Sequence, residues 1–397
     1  MSNQAKREYL KAILARYRGA GKAEKTKILD EFCNICEYGR KYAIWLLACG
    51  VNSKVVTSRE RRKKYPDVLL LPHIKCLWFC MGQVSAKRMK KAFIEWLPRY
   101  HQNDVTPQVK HLLSEMSAST LDRLLAKVRS QMRTGKGLSG TKPAKYFQNI
   151  IPLRTLDELI DRPGHMQADT VLHCGSNMLG QFAHTLCMTD IDSTWTEVRA
   201  MELKSSKIVV KTIREIEESL PFPILSMNTD CGSEFLNHHV NAFCRDYKGR
   251  TIKFTRSRPY KKNDNCYVEQ KNFTHVREVF GYERIDGEYM VQLMNEIYVQ
   301  YWLPLQNFFI PNFKMETKVR VGARIKKFYG EPKTAFERLI ESKHLSEHRK
   351  QKLQQRYEEL DPFALAAGLK AKLAHFAVVL KQSKIGAINE RDLTPLG

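Results

Sequence analysis

The sequence predicts an α/β fold: a core with a mixed sheet flanked by helices, an all-α region before it and a mainly helical region after it. Three observations predict it. From about residue 163 to 305, short apolar runs of strand length alternate with amphipathic helical runs. Up to about residue 133 the chain carries helical periodicity with capping and turn signals. Beyond 315 one alternating stretch, "METKVRVGARIKKFY", gives way to long, basic helical runs.

Length and charge limit what such a chain does. At 397 residues it exceeds what one core usually holds, so several domains are expected. Lys and Arg number 66 against 42 Asp and Glu, a net +24 that calls for a polyanionic partner, nucleic acid before membrane. A hydrophobic share of 43% with 10% aromatics is that of a folded protein, so the charge sits on folded surfaces. The opening "MSNQAKREYLKAILARYRGAGKAEK" is charged throughout, and the apolar stretch at 68–82 is broken by Pro72, His73 and Lys75. A soluble, cytoplasmic protein with reduced thiols is the expectation. Cys33 and Cys36 have metal spacing, yet no second pair follows at zinc-finger distance, and they read as helix thiols.

Residues 1–64 form the first unit. "YLKAILARYR", "KTKILDEFCNIC" and "RKYAIWLLAC" are helical, and the last two are joined by a turn holding Gly39. That suits a helix-turn-helix, with Arg40 and Lys41 opening the helix that meets DNA. "RERRKK" (59–64) reads as a cationic linker. Residues 65–146 form a second helical DNA-binding region in which "SEMSASTLDRLLAKV" offers a Ser/Thr cap and Arg123 near a helix start. The Gly- and Lys-rich "RTGKGLSGTKPAKY" (133–146) closes it as a linker.

Residues 147–315 hold the core. "GHMQADTVLHC", "QFAHTLCMTDI" and "TWTEVRAMEL" read as three strands, and "SSKIVVKTIREIEESL" as an amphipathic helix capped by Ser205 or Ser206. "PILSMNTD" is a buried strand, "SEFLNHHVNAFCRDY" a helix, "TIKFTRS" a strand, and a further helix carries Glu269. Residues 316–397 supply the strand pair and then basic helices, with Pro332, Pro362 and Gly368 interrupting any long heptad pattern.

Three carboxylates of the core occupy positions that chemistry would choose. Asp169 lies inside a strand among apolar neighbours, which is costly unless it is paired or binds a cation. Asp230 ends the buried strand at the turn "CGSEF", where α/β sheets collect their ligands. Glu269 sits on a helix in "SRPYKKNDNCYVEQKN", surrounded by groups that suit a polyanion. Carboxylates from a strand middle, a strand end and a helix, with oxygen donors alone, suit Mg2+ or Mn2+. Two such ions address both difficulties of phosphodiester attack, the weak nucleophile and the poor leaving oxygen.

The blocks "GHMQADTV", "NTDCGSEF" and "RPYKKNDNCYVEQKN", in that order on a strand, strand and helix frame, resemble the catalytic blocks of the integrase-core transposases of bacterial insertion sequences, related to retroviral integrases. The resemblance covers about residues 160–315. It implies a ribonuclease-H-like core, with Asp169 bridging two metal ions while Asp230 and Glu269 hold one each. It also implies hydrolysis at an element end to free a 3′-hydroxyl, attack by that hydroxyl on target DNA, and a dimer or higher multimer on double-stranded DNA. The interval from Asp230 to Glu269 is slightly longer than is usual in that family. Many of its members carry a Lys or Arg seven residues after the Glu; here that position is Val276, and Arg277 or His275 is the substitute on offer.

Other groups invite simpler readings. Asp190 and Asp192 cap the turn after the second strand. Asp264 caps or braces the Glu269 helix, and Glu234 is a favourable acid near a helix start. His238 and His239 are adjacent, share no helix face and read as surface residues. Arg256, Arg258, Lys261 and Lys262, with Tyr260 and Tyr267 interleaved, suit contact with a DNA backbone, as do Lys271 and Arg277.

Overall fold

A computed structural model describes residues 1–50, 64–101, 105–129, 160–258, 265–321 and 324–392. The chain divides into two compact units, Met1–Pro66 and Asp67–Gly397. The linker read at 133–146 and the loop holding Lys261, Lys262 and Asp264 lie outside the described residues.

The first unit holds α1 (Asn3–Gly19), α2 (Lys22–Cys36) and α3 (Arg40–Cys49). Ser2 caps α1 by accepting from the Ala5 amide. Glu37, in the left-handed region at φ 54°, ends α2. Apolar stripes from the three helices meet at Leu10, Ile13, Ile28, Leu29, Phe32, Ala43 and Leu47. Cys36 is buried beside them and Cys33 half-buried, both free thiols.

The second unit opens with α4 (Asp67–Cys80), α5 (Ala86–Trp96), α6 (Pro107–Glu115) and α7 (Ala118–Arg129). It then forms a five-stranded mixed sheet from β1 (His165–Leu172), β2 (His184–Asp190), β3 (Thr196–Met201), β4 (Ser226–Thr229) and β5 (Lys253–Arg256). The strand order is β3-β2-β1-β4-β5, with β1 and β2 antiparallel, β2 and β3 antiparallel, and β1, β4 and β5 parallel. Every residue of β2, β3 and β4 is buried, so helices cover both faces.

Those helices follow from the sequence. In α8 (Ser206–Ser219), capped by Ser205, Val209, Thr212, Ile213 and Ile216 form one buried stripe. In α9 (His238–Arg245), Val240, Phe243 and Cys244 are buried while His238 and His239 face solvent. This helix starts later than "SEFLNHHVNAFCRDY" suggests, because Asn237 is the cap and holds the Val240 amide. Next, α10 (Cys266–Lys271) continues through a π-helical turn (Asn272–Arg277) into α11 (Glu278–Phe280), and α12 (Glu288–Ile297) follows.

The chain ends with β6 (Met315–Val321) paired to β7 (Arg324–Tyr329), then α13 (Ala335–Glu341), α14 (Glu347–Glu358) and α15 (Pro362–Asp392). Gly368 does not interrupt α15. A Cβ at that position would stand 2.6 Å from Tyr301 Cδ1, so the glycine is what lets the helix lie on its neighbour. Phe376 packs on Phe280 with ring centroids 4.7 Å apart, and Lys372 pairs with Glu296 at 2.5 Å. By length and composition alone, Pro362–Ser383 is apolar enough to cross a membrane, a test that helices of soluble proteins also pass.

Candidate active site

The site grows from β1. Side chains alternate along a strand, so Gln167 and Asp169 share a face. Gln167 Oε1 accepts from the Tyr267 and Val268 amides at 3.0 and 3.3 Å, holding the first turn of α10 against the sheet. Two residues on, Asp169 Oδ2 accepts from Asn272 Nδ2 at 2.6 Å, and Oδ1 accepts from the Thr170 amide at 2.8 Å. The strand thus grips the Glu269 helix at two levels, each bond worth about 0.5–1.5 kcal/mol.

Asp230 follows β4, one residue beyond the Ala168 and Thr229 pairing, which sets it level with Asp169. Its Oδ1 accepts from the Gly232 amide at 2.9 Å. The Asn228 side chain, two residues before it, donates to Ser257 Oγ and Asn265 Oδ1, so the exits of β4 and β5 and the entry of α10 are tied together.

Both aspartates are half-buried, and both carboxyls hold protons more tightly than usual. Burial is the main cause at Asp169, whose pKa stands at about 7, and the charge of Asp230 adds to it. At Asp230 burial again leads, followed by the charge of Glu234, while Lys204 acts in the opposite direction. The arrangement is a coupled acid pair short of positive charge.

Glu269 lies in the first turn of α10, exposed, one helical turn before Asn272 and therefore on the same side of the helix. Among the described residues, no three His, Cys, Asp or Glu side chains gather so as to hold a metal ion.

Glu234 differs from its sequence reading. It precedes the α9 cap and is 2% exposed. Its Oε1 accepts from Thr170 Oγ1 at 2.8 Å and pairs with Lys204 Nζ at 2.6 Å, while its Oε2 is buried without a hydrogen-bond partner. A Cβ on residue 232 would stand 2.6 Å from the Glu234 carboxyl carbon, so Gly232 is the spacer between Glu234 and Asp230. The Asn237 cap signal, which starts the helix after Glu234, was the available clue.

The other acids and bases fall as follows. Asp190 is buried at the end of β2 and accepts from the Gly164, His165 and Ser193 amides, the turn-capping role read for it, and Asp192 pairs with Lys314. His275 is buried beneath its helix, its imidazole kept neutral by desolvation, and cannot stand in for a surface cation. Lys271 is half-buried, with burial and the nearby Arg88 charge lowering its ammonium to about 7. Arg277 lies 4.8 Å over the Tyr282 ring and Arg256 beside the Cys231 thiol, while Arg258 is exposed. Lys41 and Arg123 are exposed on α3 and α7, and Arg40 pairs with Asp30.

No family model matches this chain. It is 33% identical over 338 residues to the uncharacterized protein y4rM of Sinorhizobium fredii, a match covering 84% of this chain and 94% of that protein, and it belongs to the same family. Among solved structures, the dimeric HTLV-2 integrase catalytic core domain in complex with magnesium is 19% identical, covering 38% of this chain and 90% of that one with a TM-score of 0.28. The catalytic core domain of BIV integrase is also 19% identical; the match covers 28% of this chain and 64% of that one, with a TM-score of 0.22. Scores this low assign no fold, and the architecture rests on the sheet described above.

Proposed function

We propose that this member of the y4rM family is a DNA transposase: a divalent-cation-dependent enzyme that hydrolyses the phosphodiester at each end of its element and joins the freed 3′-hydroxyl to target DNA. Asp169, Asp230 and Glu269 are its carboxylates in this reading. The observation that carries it is the aspartate pair, two half-buried carboxyls, one on β1 and one just past its parallel neighbour β4, with Asp230 raising the proton affinity of Asp169. Groups that take up protons for want of positive charge take up a divalent cation for the same reason. Oxygen donors alone fit Mg2+ or Mn2+. Bound there, such a cation activates the attacking oxygen and stabilises the leaving one.

The chain's own residues prepare the pair. Asn272 and the Thr170 amide each take one Asp169 oxygen and the Gly232 amide one of Asp230, leaving acceptor sites on every carboxylate oxygen for a cation. Glu269 stands one turn before Asn272, and the reading requires its side chain to turn toward Asp169. The net +24 and the cations at Arg256 and Arg258, near the exit of β5, support a DNA backbone as the ligand. Two element ends held together call for a dimer or higher multimer, acting on DNA in the cytoplasm.

One observation favours a second reading, a DNA-binding regulator that does not cut: among the described residues no three His, Cys, Asp or Glu side chains gather so as to hold a metal ion. A gel assay with Mg2+ or Mn2+ on labelled duplexes from the DNA flanking its own gene separates the two. Nicking and strand joining by the parent, both lost in Asp230→Asn, support the transposase. Binding without cleavage in either protein supports the regulator, and cleavage that survives Asp230→Asn moves the chemistry to other carboxylates.

A further inference from the structure

Beside the aspartate pair stands a charge pair, buried at its carboxylate end, for which the proposed reaction gives no role. Glu234 reaches the strand end from the turn before α9, and Lys204 reaches it from the turn after β3. Their side chains differ in access: Glu234 is 1% exposed and Lys204 22%. Glu234 also holds Thr170, the residue after Asp169, while its second oxygen stays buried and unpartnered. Gly232 links the two centres, giving its amide to Asp230 and its bare Cα to the Glu234 carboxylate. The field of the pair is felt at Asp230, where Glu234 strengthens proton binding and Lys204 weakens it.

A buried carboxylate with one satisfied and one orphaned oxygen is costly, and its ammonium partner offsets that cost only while it stays. Lys204 is accessible enough to exchange partners, and an ammonium on a four-carbon stem is suited to doing so. A DNA phosphate approaching the aspartates is a competing anion for that ammonium. Once Lys204 turns to that phosphate, Glu234 is left uncompensated at the strand end and the local demand for positive charge rises. By linkage, whatever draws Lys204 away tightens cation binding, and the cation in turn favours the state in which Lys204 contacts DNA.

We propose that Lys204 and Glu234 form a built-in counter-charge that couples DNA binding to cation binding at Asp169 and Asp230. Lys204 holds the cation affinity of the unliganded protein down, Glu234 holds it up, and a DNA phosphate releases the first from the second. Both are positioning residues acting through the aspartates. The inference rests on the transposase reading, because it takes the aspartate pair as the cation centre.

The test is Mn2+ binding by the full chain without turnover, followed by titration calorimetry or by the loss of the free-ion paramagnetic resonance signal. Removing one unit charge about 8 Å from a divalent ion in water-like dielectric changes its affinity roughly fivefold, and more at shorter range. Lys204→Met is therefore expected to tighten Mn2+ about fivefold, Glu234→Gln to weaken it about as much, and the double variant to return near the parent. Lys204→Arg, which keeps the charge, should behave as the parent, and comparable melting temperatures show that the variants fold. A short duplex should tighten Mn2+ binding more in the parent than in Lys204→Met. Affinity in Lys204→Met within twofold of the parent, or weaker, overturns the coupling, as does an equal response of both proteins to the duplex. If the parent binds no Mn2+, or Asp230→Asn keeps all of its binding, the cation centre itself falls and this inference with it. A parent site lost in Asp230→Asn but indifferent to Lys204 leaves the transposase reading standing alone.

Discussion

Asp169→Asn is expected to make the cation-free protein more stable while removing its activity, and the size of the gain follows from the carboxyl's environment. In an unfolded chain this carboxyl titrates near 3.8, and in the folded protein at about 7. A group whose folded pKa is raised contributes stability below its unfolded value and loses it as pH rises through the folded one. At about 1.36 kcal/mol per tenfold in proton affinity, the ionised carboxylate costs the fold about 4 kcal/mol above pH 7, but only about 1 kcal/mol at pH 4.5. Replacing the carboxylate by a neutral amide of the same shape removes most of that cost. The hydrogen bonds survive the change, because Asn272 Oδ1 is buried without a partner and an amide flip turns it toward the new N–H. Urea unfolding in the presence of a chelator, at pH 8 and pH 4.5, measures the difference directly. A gain of about 2–4 kcal/mol at pH 8 that shrinks to about 1 kcal/mol or less at pH 4.5 is expected. A variant no more stable than the parent at pH 8, or equally stabilised at both pH values, would refute the argument that this aspartate is held against its own charge.

Three further outcomes follow from the same geometry. Asn272→Ala takes away the donor on Asp169 Oδ2 and should lower strand cleavage about tenfold, with about 1 kcal/mol or less of stability lost, as read by turnover and by urea midpoint. Gly232→Ala places a Cβ 2.6 Å from the Glu234 carboxyl carbon, so the turn must move; a loss of about 1–3 kcal/mol and weaker Mn2+ binding are expected from thermal melts and calorimetry. If Arg258, exposed just past β5, contacts a DNA phosphate, Arg258→Ala should reduce the slope of log K against log salt by about 0.9 in a fluorescence anisotropy titration, equally for specific and random duplexes.

Much of the core was legible because its signals are local. The short apolar runs over "HMQADTVL" and "HTLCMTD" need only a sheet with covered faces, and the stripe Val209, Thr212, Ile213 and Ile216 needs only a helix with one buried side. Ser205 could be read as a cap because a cap acts within one turn. Asp169 and Asp230 stood out for the same reason: a carboxylate inside an apolar strand and another at a strand end are costly wherever the strands lie.

What the sequence could not decide is whatever depends on which residues meet. Gly368 looked like an interruption, yet it is the point where α15 lies against Tyr301, and only the packing partner reveals that. Lys271 and His275 looked like surface groups on a cationic helix, but the side of that helix facing β1 and β2 carries them out of water. Glu234 read as an ordinary acid near a helix start, and Lys204 attracted no attention at all. They lie 30 residues apart in sequence, and only closure of the sheet brings the turn after β3 to the turn after β4. The sequence by itself determined which residues want to be buried and which carboxylates are out of place; the tertiary structure decided which charges face each other, because electrostatic pairing depends on distances between chain segments that no local pattern encodes.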